Sequence, residues 1–433
     1  MITKELIERI EGEASLYLKM KDKKVDFATV VFPHFRGMES ILEGKNVLDA
    51  LVLTPRICGI CGHAHLMATV RAIEDAYNNA GFGVQISKKA AKIREFTLIM
   101  EMIQNHFKWL YMVILPELRK LLGEEDTHKS QLKGAYAASL ASKAIALFGG
   151  QWPHSSYMVV GGITADPTYI ELLQAQNHLE KLVDFFEKET LGIQIESFLS
   201  FETCRDFNTF SSDVTEVESK LLKAKMHRMG FAFDQFLILG EHGFSKPMKL
   251  KRTRILNVDA KYLTTEEAYT PDVKSYAKNA LYNGDYYETG PLGRMMAQGA
   301  PLIKNFHRRY KDSAYTRVMA RIYELASVLE YARSLLGEID ISEESVVKSV
   351  DIKKINAIGE GIVEAPRGPL IHKISIKQGI IKEYSIITPT QFNIGSSTQK
   401  KPTPVQKAIQ YSSKQEALFI FRTFDVCSVC TTH

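Results

Sequence analysis

The apolar positions of this chain change their period twice. Near the start, residues 15–19 and 25–31 alternate apolar with polar side chains around Lys21-Asp22-Lys23-Lys24, and that period of two predicts a β-hairpin. Beyond residue 58 the apolar residues recur every three to four places, first up to Asn79 and then over 88–122, 133–148, 168–191, 213–229 and 312–336. Each stretch predicts a helix with one buried face, and so many in succession predict a bundle. From 362 to 387 short β segments return, broken by Pro366 and Pro369 and turned at Gln378-Gly379,. One more helix, about 405–411, precedes the final residues. The pattern is that of an α+β fold, predominantly α: a central bundle of long helices with small β regions in the N-terminal and C-terminal parts. No Pro/Gly/Ser-rich tract and no internal repeat divides the chain, so a single unit over 1–433 is expected. Within it, 1–45 is β-rich, 46–340 mainly helical and 341–433 mixed.

Composition narrows the class. Hydrophobic residues make up 45% and charged residues 24% of the 433, which suits a substantial core and argues against disorder. The formal charge of +5 is interspersed rather than gathered in a basic stripe, so nucleic acid is not an expected partner. ITKELIERIEGEASLYLKM lacks the uninterrupted apolar core of a signal peptide,. The most apolar stretch, 134–150, is Ala-rich and too short to span a bilayer,. A cytoplasmic location without a membrane span is expected, any membrane association coming through a partner.

Chemistry enters with the cysteines. Four of the five fall in two Cys-x-x-Cys pairs, Cys58 with Cys61 and Cys427 with Cys430, leaving Cys204 as an expected buried apolar residue. Paired thiolates are soft ligands, and four of them satisfy a transition metal. The 366-residue gap between pairs rules out a compact zinc ribbon, so the site must join both ends of the fold at a buried metal. On ligand chemistry alone a structural zinc clamp ranks first and an iron-sulfur cluster second.

The motifs around the pairs narrow this further. Arg56, Cys58, Gly59, Cys61 and His65 meet the pattern R-x-C-G-x-C-x-x-x-H, and Asp425, Cys427, Cys430 and His433 meet D-P-C-x-x-C-x-x-H with Val426 in place of proline. In this the chain resembles the large, catalytic subunit of the nickel–iron (NiFe) hydrogenases. Weaker segments follow in family order: RIEGE with Glu11, FRGME with Glu39, QNH with His106, GGQWPH with His154, ETGPLGR from Glu288 to Arg294, EAPRGP with Arg367 and ITPTQFN with Pro389 and Thr390.

The resemblance implies an enzyme that splits dihydrogen heterolytically into protons and electrons. Cys58 and Cys427 would be terminal ligands of nickel, with Cys61 and Cys430 bridging it to an iron that carries one carbon monoxide and two cyanides. His65 would hydrogen-bond a bridging sulfur. Arg367 and Thr390 would contact the cyanides, and Asp425 would brace Arg367. The proton would go to Cys427 or Arg367 and onward through Glu11, while Glu39 and His433 would hold a magnesium ion. His63 has no family role and reads as structural. With four cysteines used, Cys204 cannot hold a cluster alone, so electrons would leave through an iron-sulfur small subunit, with 149–154 as one contact. The competing readings are a hydrogen-sensing subunit with the same site, a quinone-site subunit of related fold, and a zinc-clamped structural protein. The four-cysteine set speaks against the quinone-site subunit.

Overall fold

The structure is a computed structural model and describes residues 2–8, 13–125, 129–209, 211–239, 255–257, 260–270 and 273–432. Two β-meanders flank the helices, as the period change predicts. In the first, strands Ile2–Glu8, Ala14–Lys21 and Lys24–Val31 pair in that order. Asp22 and Lys23 both take left-handed backbone angles, the two-residue turn whose twist matches paired strands. The strand Ile2–Glu8 was not legible in the alternation. In the second meander, Asn356–Ala365, Gly368–Lys377 and Ile380–Ile387 pair in sequence. Ala365 pairs with Gly368, so Pro366 and Arg367 form the tip of a tight hairpin. Pro366 therefore turns the chain, whereas Pro369 lies within a strand and breaks nothing.

Between the meanders lie the long helices Gly62–Asn79, Lys88–Lys108, Lys129–Gly149, Tyr169–Phe185 and Ala314–Gly337. Two run on to about the predicted ends, Lys88–Lys108 through the π-helical turn Trp109–Ile114 and the helix Leu115–Leu121, and Tyr169–Phe185 through the π-helical turn Phe186–Leu191. The predicted helix 213–229 stops earlier, at Lys223, because Lys225 turns into the left-handed region. The helix expected at about 405–411 is Pro404–Ala408, and a further helix, Lys414–Thr423, separates it from the last cysteine pair. Ser413 and Glu416 close a capping box at its start, a pattern readable in sequence.

Gly62–Asn79 is the element that brings the second meander to the site. Ala68, Ala72 and Ala76 recur every four residues on one face, and Gly359 and Gly361 of strand Asn356–Ala365 pack against them. A Cβ on Gly361 would stand 1.9 Å from the Ala68 carbonyl oxygen, and one on Gly359 2.0 Å from that of Ala72. Only glycine permits this approach. Among the described residues no helix is long and apolar enough to cross a membrane.

Candidate metal centre

The two cysteine pairs meet. Cys61 ends the loop that enters helix Gly62–Asn79. Cys58 Sγ accepts the N–H groups of Ile60 and Cys61, each at 3.3 Å. Gly62 is required because a Cβ there would lie 2.7 Å from the Pro55 carbonyl oxygen. On the other side, Cys427 precedes the short helix Ser428–Thr431, which carries Cys430. Sulfur–sulfur distances are 3.6 Å for Cys58–Cys427, 3.2 Å for Cys61–Cys430 and 2.8 Å for Cys427–Cys430. All four sulfurs lie within 4.8 Å of one another and are buried.

Such a quartet is electrostatically incomplete by itself. Hydrogen bonds from Cys427 and Cys430 hold the Cys58 thiol well below its ordinary range, while burial pushes Cys427 and Cys430 well above theirs. The quartet alone favours one thiolate among thiols; soft cations reverse that by replacing the protons.

Beside the sulfurs lies a cavity lined by Cys61, Cys427, Cys430, His65, Arg367 and Thr390, with Pro389 in its wall. Among the described residues the buried Thr390 hydroxyl has no hydrogen-bond partner. An orphaned polar atom facing a cavity next to four thiols fits a metal centre bearing polar ligands better than a closed zinc clamp. His65 Nδ1 lies 2.9 Å from His372 Nε2, and His372 Nδ1 lies 2.7 Å from the Tyr384 hydroxyl. With Nδ1 committed to His372, His65 has Nε2 for the cavity side.

Arg367 reaches the cavity from its hairpin tip. Its Nε is 3.0 Å from Asp425 Oδ2, which Arg321 also grips at 2.5 Å. The Asn105 amide joins the cluster, its oxygen accepting from Arg367 Nη2 at 3.1 Å and its nitrogen donating to Asp425 Oδ2 at 3.3 Å. Burial works to raise the Asp425 carboxyl, but the two guanidiniums outweigh it and hold it below the usual carboxylate range. Asp425 is thus an ionised anchor.

Other predicted residues lie elsewhere. Glu39 is half-buried, its Oε1 accepting from the Ile386 N–H at 2.7 Å and its Oε2 3.7 Å from Lys278 Nζ. Glu11 and His433 fall outside the described residues. Cys204 is not fully buried as expected; it is half-buried, and its Sγ accepts from Arg309 Nη1 at 3.0 Å.

Sequence reasoning missed Glu101, Arg321, Asn105 and His372. Glu101 accepts the N–H groups of His63 and Ala64 at 2.8 and 3.0 Å, capping the helix that follows Cys61. Burial pushes its carboxyl up to about 8, although both N–H groups oppose the shift. Burial also lowers His63 to about 4, consistent with its structural reading. A charged residue inside an apolar run, as in TLIMEMI and VMARIYEL, was the available signal for Glu101 and Arg321.

Comparisons with known proteins agree. Residues 36–115 and 185–433 match the family described as nickel-dependent hydrogenase. Sulfhydrogenase 2 subunit alpha of Pyrococcus furiosus is 28% identical, covering 98% of this chain and 97% of its own length. The periplasmic NiFeSe hydrogenase large subunit of Desulfomicrobium baculatum is 27% identical over 89% and 84%, respectively. In fold, the Ni-Fe-Se hydrogenase of D. vulgaris Hildenborough superposes with a TM-score of 0.81 over 100% of this chain and 99% of that one, at 21% identity.

Proposed function

Since the chain belongs to the nickel-dependent hydrogenase family, an oxidoreductase acting on dihydrogen, we propose how its own residues serve that reaction. The reading rests on one observation: four buried thiols from opposite ends of the chain within 4.8 Å of one another. Cys58 and Cys427 would hold nickel, and Cys61 and Cys430 would hold it together with an iron carrying one carbon monoxide and two cyanides. When bound, this centre supplies the site where the H–H bond is polarised and its electron pair accepted.

The surrounding residues then divide the remaining tasks. Arg367 and the Thr390 hydroxyl donate toward the cyanides; the orphaned state of that hydroxyl supports its part. His65 would present Nε2 to a sulfur of the quartet. The released proton goes to Cys427 Sγ rather than to Arg367, because a guanidinium ion-paired to an ionised Asp425 does not give up its own proton. Glu11 carries it onward. Glu39 and His433 would hold magnesium, an oxygen-preferring ion.

Electrons leave through an iron-sulfur small subunit. Only Cys204 lies outside the quartet, and one thiol cannot hold a cluster. Segment 149–154 is a contact for that subunit: His154 Nδ1 bonds the Pro55 carbonyl oxygen at 3.0 Å, three residues before Cys58. We place the protein in the cytoplasm as one folded unit over 1–433.

An infrared spectrum of the purified protein tests the centre. Bands from metal-bound carbon monoxide and cyanide are expected. Nickel-loaded, hydrogen-oxidising protein without those bands would remove the diatomic ligands from the reading, and zinc without nickel or iron would overturn the centre itself.

A further inference from the structure

The ETGPLGR segment, Glu288 to Arg294, has no task in the chemistry above. Arg294 lies completely buried in helix Pro291–Gln298, and its five N–H donors meet five acceptors. Nε and Nη2 reach the two oxygens of Glu324 at 2.6 and 2.8 Å, and Nη1 reaches Glu364 Oε2 at 3.0 Å. The remaining two donors go to main chain: Nη1 to the Ala365 carbonyl at 3.1 Å and Nη2 to that of Pro366 at 3.0 Å. Those carbonyls belong to the hairpin tip whose next residue is Arg367. Glu324 is itself held by His106 Nε2 at 2.8 Å.

The other end of the segment presses on the same tip. Gly290, at φ +114°, approaches so closely that a Cβ would lie 3.0 Å from the Arg367 carbonyl oxygen. Gly368, at φ +133°, leaves only 2.6 Å between a Cβ of its own and Thr289 Oγ1. Asn393 brackets Thr289 in turn, accepting its N–H at 2.9 Å and donating to its carbonyl at 3.0 Å.

We propose that this segment is a jig for the hairpin tip, with Arg294 a positioning residue that acts through Arg367. The inference rests on the reading that Arg367 works at the centre. A two-residue turn bearing a long side chain has little rigidity of its own, and misplacement by about 1 Å costs on the order of 100-fold in rate. A buried ion cluster adds little net stability over apolar packing, but its planar, five-donor fork fixes two carbonyls in a way no ammonium can.

The test is a double-variant cycle on the metal-loaded protein, with hydrogen uptake and nickel content measured for Arg294→Lys, Arg367→Lys and the pair. Arg294→Lys is expected to slow uptake about 100-fold with nickel retained, and the pair to be no slower than the slower single variant. Losses that multiply, or full activity of Arg294→Lys, would overturn the jig. Should Arg367→Lys alone remain fully active, the reading of Arg367 fails instead. Backbone hydrogen exchange gives a readout independent of turnover: faster exchange confined to 365–368 is expected in Arg294→Lys, and unchanged exchange there refutes the proposal. If Arg294→Lys does not fold, Gly290→Ala, which keeps the guanidinium, must give the same local exchange and the same non-multiplying cycle, or the jig is wrong.

Discussion

Glu364 and Glu324 share one guanidinium yet titrate in opposite directions. At Glu364 burial prevails over Arg294 and lifts the carboxyl to about 7; at Glu324 burial is outweighed by Arg294 and His106, which hold it far below the carboxylate range. A raised carboxyl stabilises the fold in its neutral form, fully below its unfolded value near pH 4.5, and that contribution is lost as pH rises through about 7. Glu364 is therefore expected to contribute a fall of roughly 3 kcal/mol over that window, read as the difference between wild type and a variant in chemical denaturation. Glu364→Gln, neutral at every pH, should remove that share of the slope, so that its stability gains on wild type as pH rises; an unchanged slope would assign it to another group. At the centre itself, Cys430→Ser replaces a soft thiol of the quartet by a hard hydroxyl and is expected to abolish nickel retention and hydrogen uptake, read by metal analysis and by a hydrogen-uptake assay. The cysteines and Arg367 were legible because their motifs are local. The roles of Asn105 and Arg321 were not, since a residue of the QNH segment and a charge within an apolar run show that something is held there but not that both meet Asp425, which happens only in space.

Among elements, the contact of helix Gly62–Asn79 with strand Asn356–Ala365 decides where Arg367 stands. Alanines every four residues on the helix face two glycines spaced by two on the strand, a match of the helical and extended periods. Gly361→Ala would drive a methyl into the Ala68 carbonyl and is expected to cost about 3 kcal/mol or more, measured as a lowered denaturation midpoint. Wild-type stability would show that the two elements can separate without loss. The long helices were readable from periodicity because burial on one face imposes it. The strand Ile2–Glu8 was not, because edge strands such as this one carry polar and apolar residues without strict alternation. The end of the helix at Lys223 depends on a single left-handed residue, Lys225, which propensity does not mark.

Across the whole molecule, the two chain ends are tied by more than sulfur. Arg36 donates from its guanidinium to the carbonyls of Arg56 at 3.2 Å, Val429 at 3.3 Å and Ile57, and its own N–H bonds the Thr432 carbonyl at 3.0 Å. It thereby staples both cysteine loops. Arg36→Ala is expected to weaken nickel retention about tenfold with helical content unchanged by circular dichroism; undiminished retention against a chelator would show that the sulfurs alone set the geometry. By itself the sequence determined the four-cysteine quartet, the helical class and the need for the ends to meet, because thiolate chemistry and hydrophobic period are properties of residue type and spacing. Only the tertiary structure decided which buried charges surround the site, how Asp425 stays ionised between two guanidiniums, and what holds the hairpin tip. Those depend on desolvation and on distances between residues hundreds of positions apart, and neither quantity exists until the chain has packed.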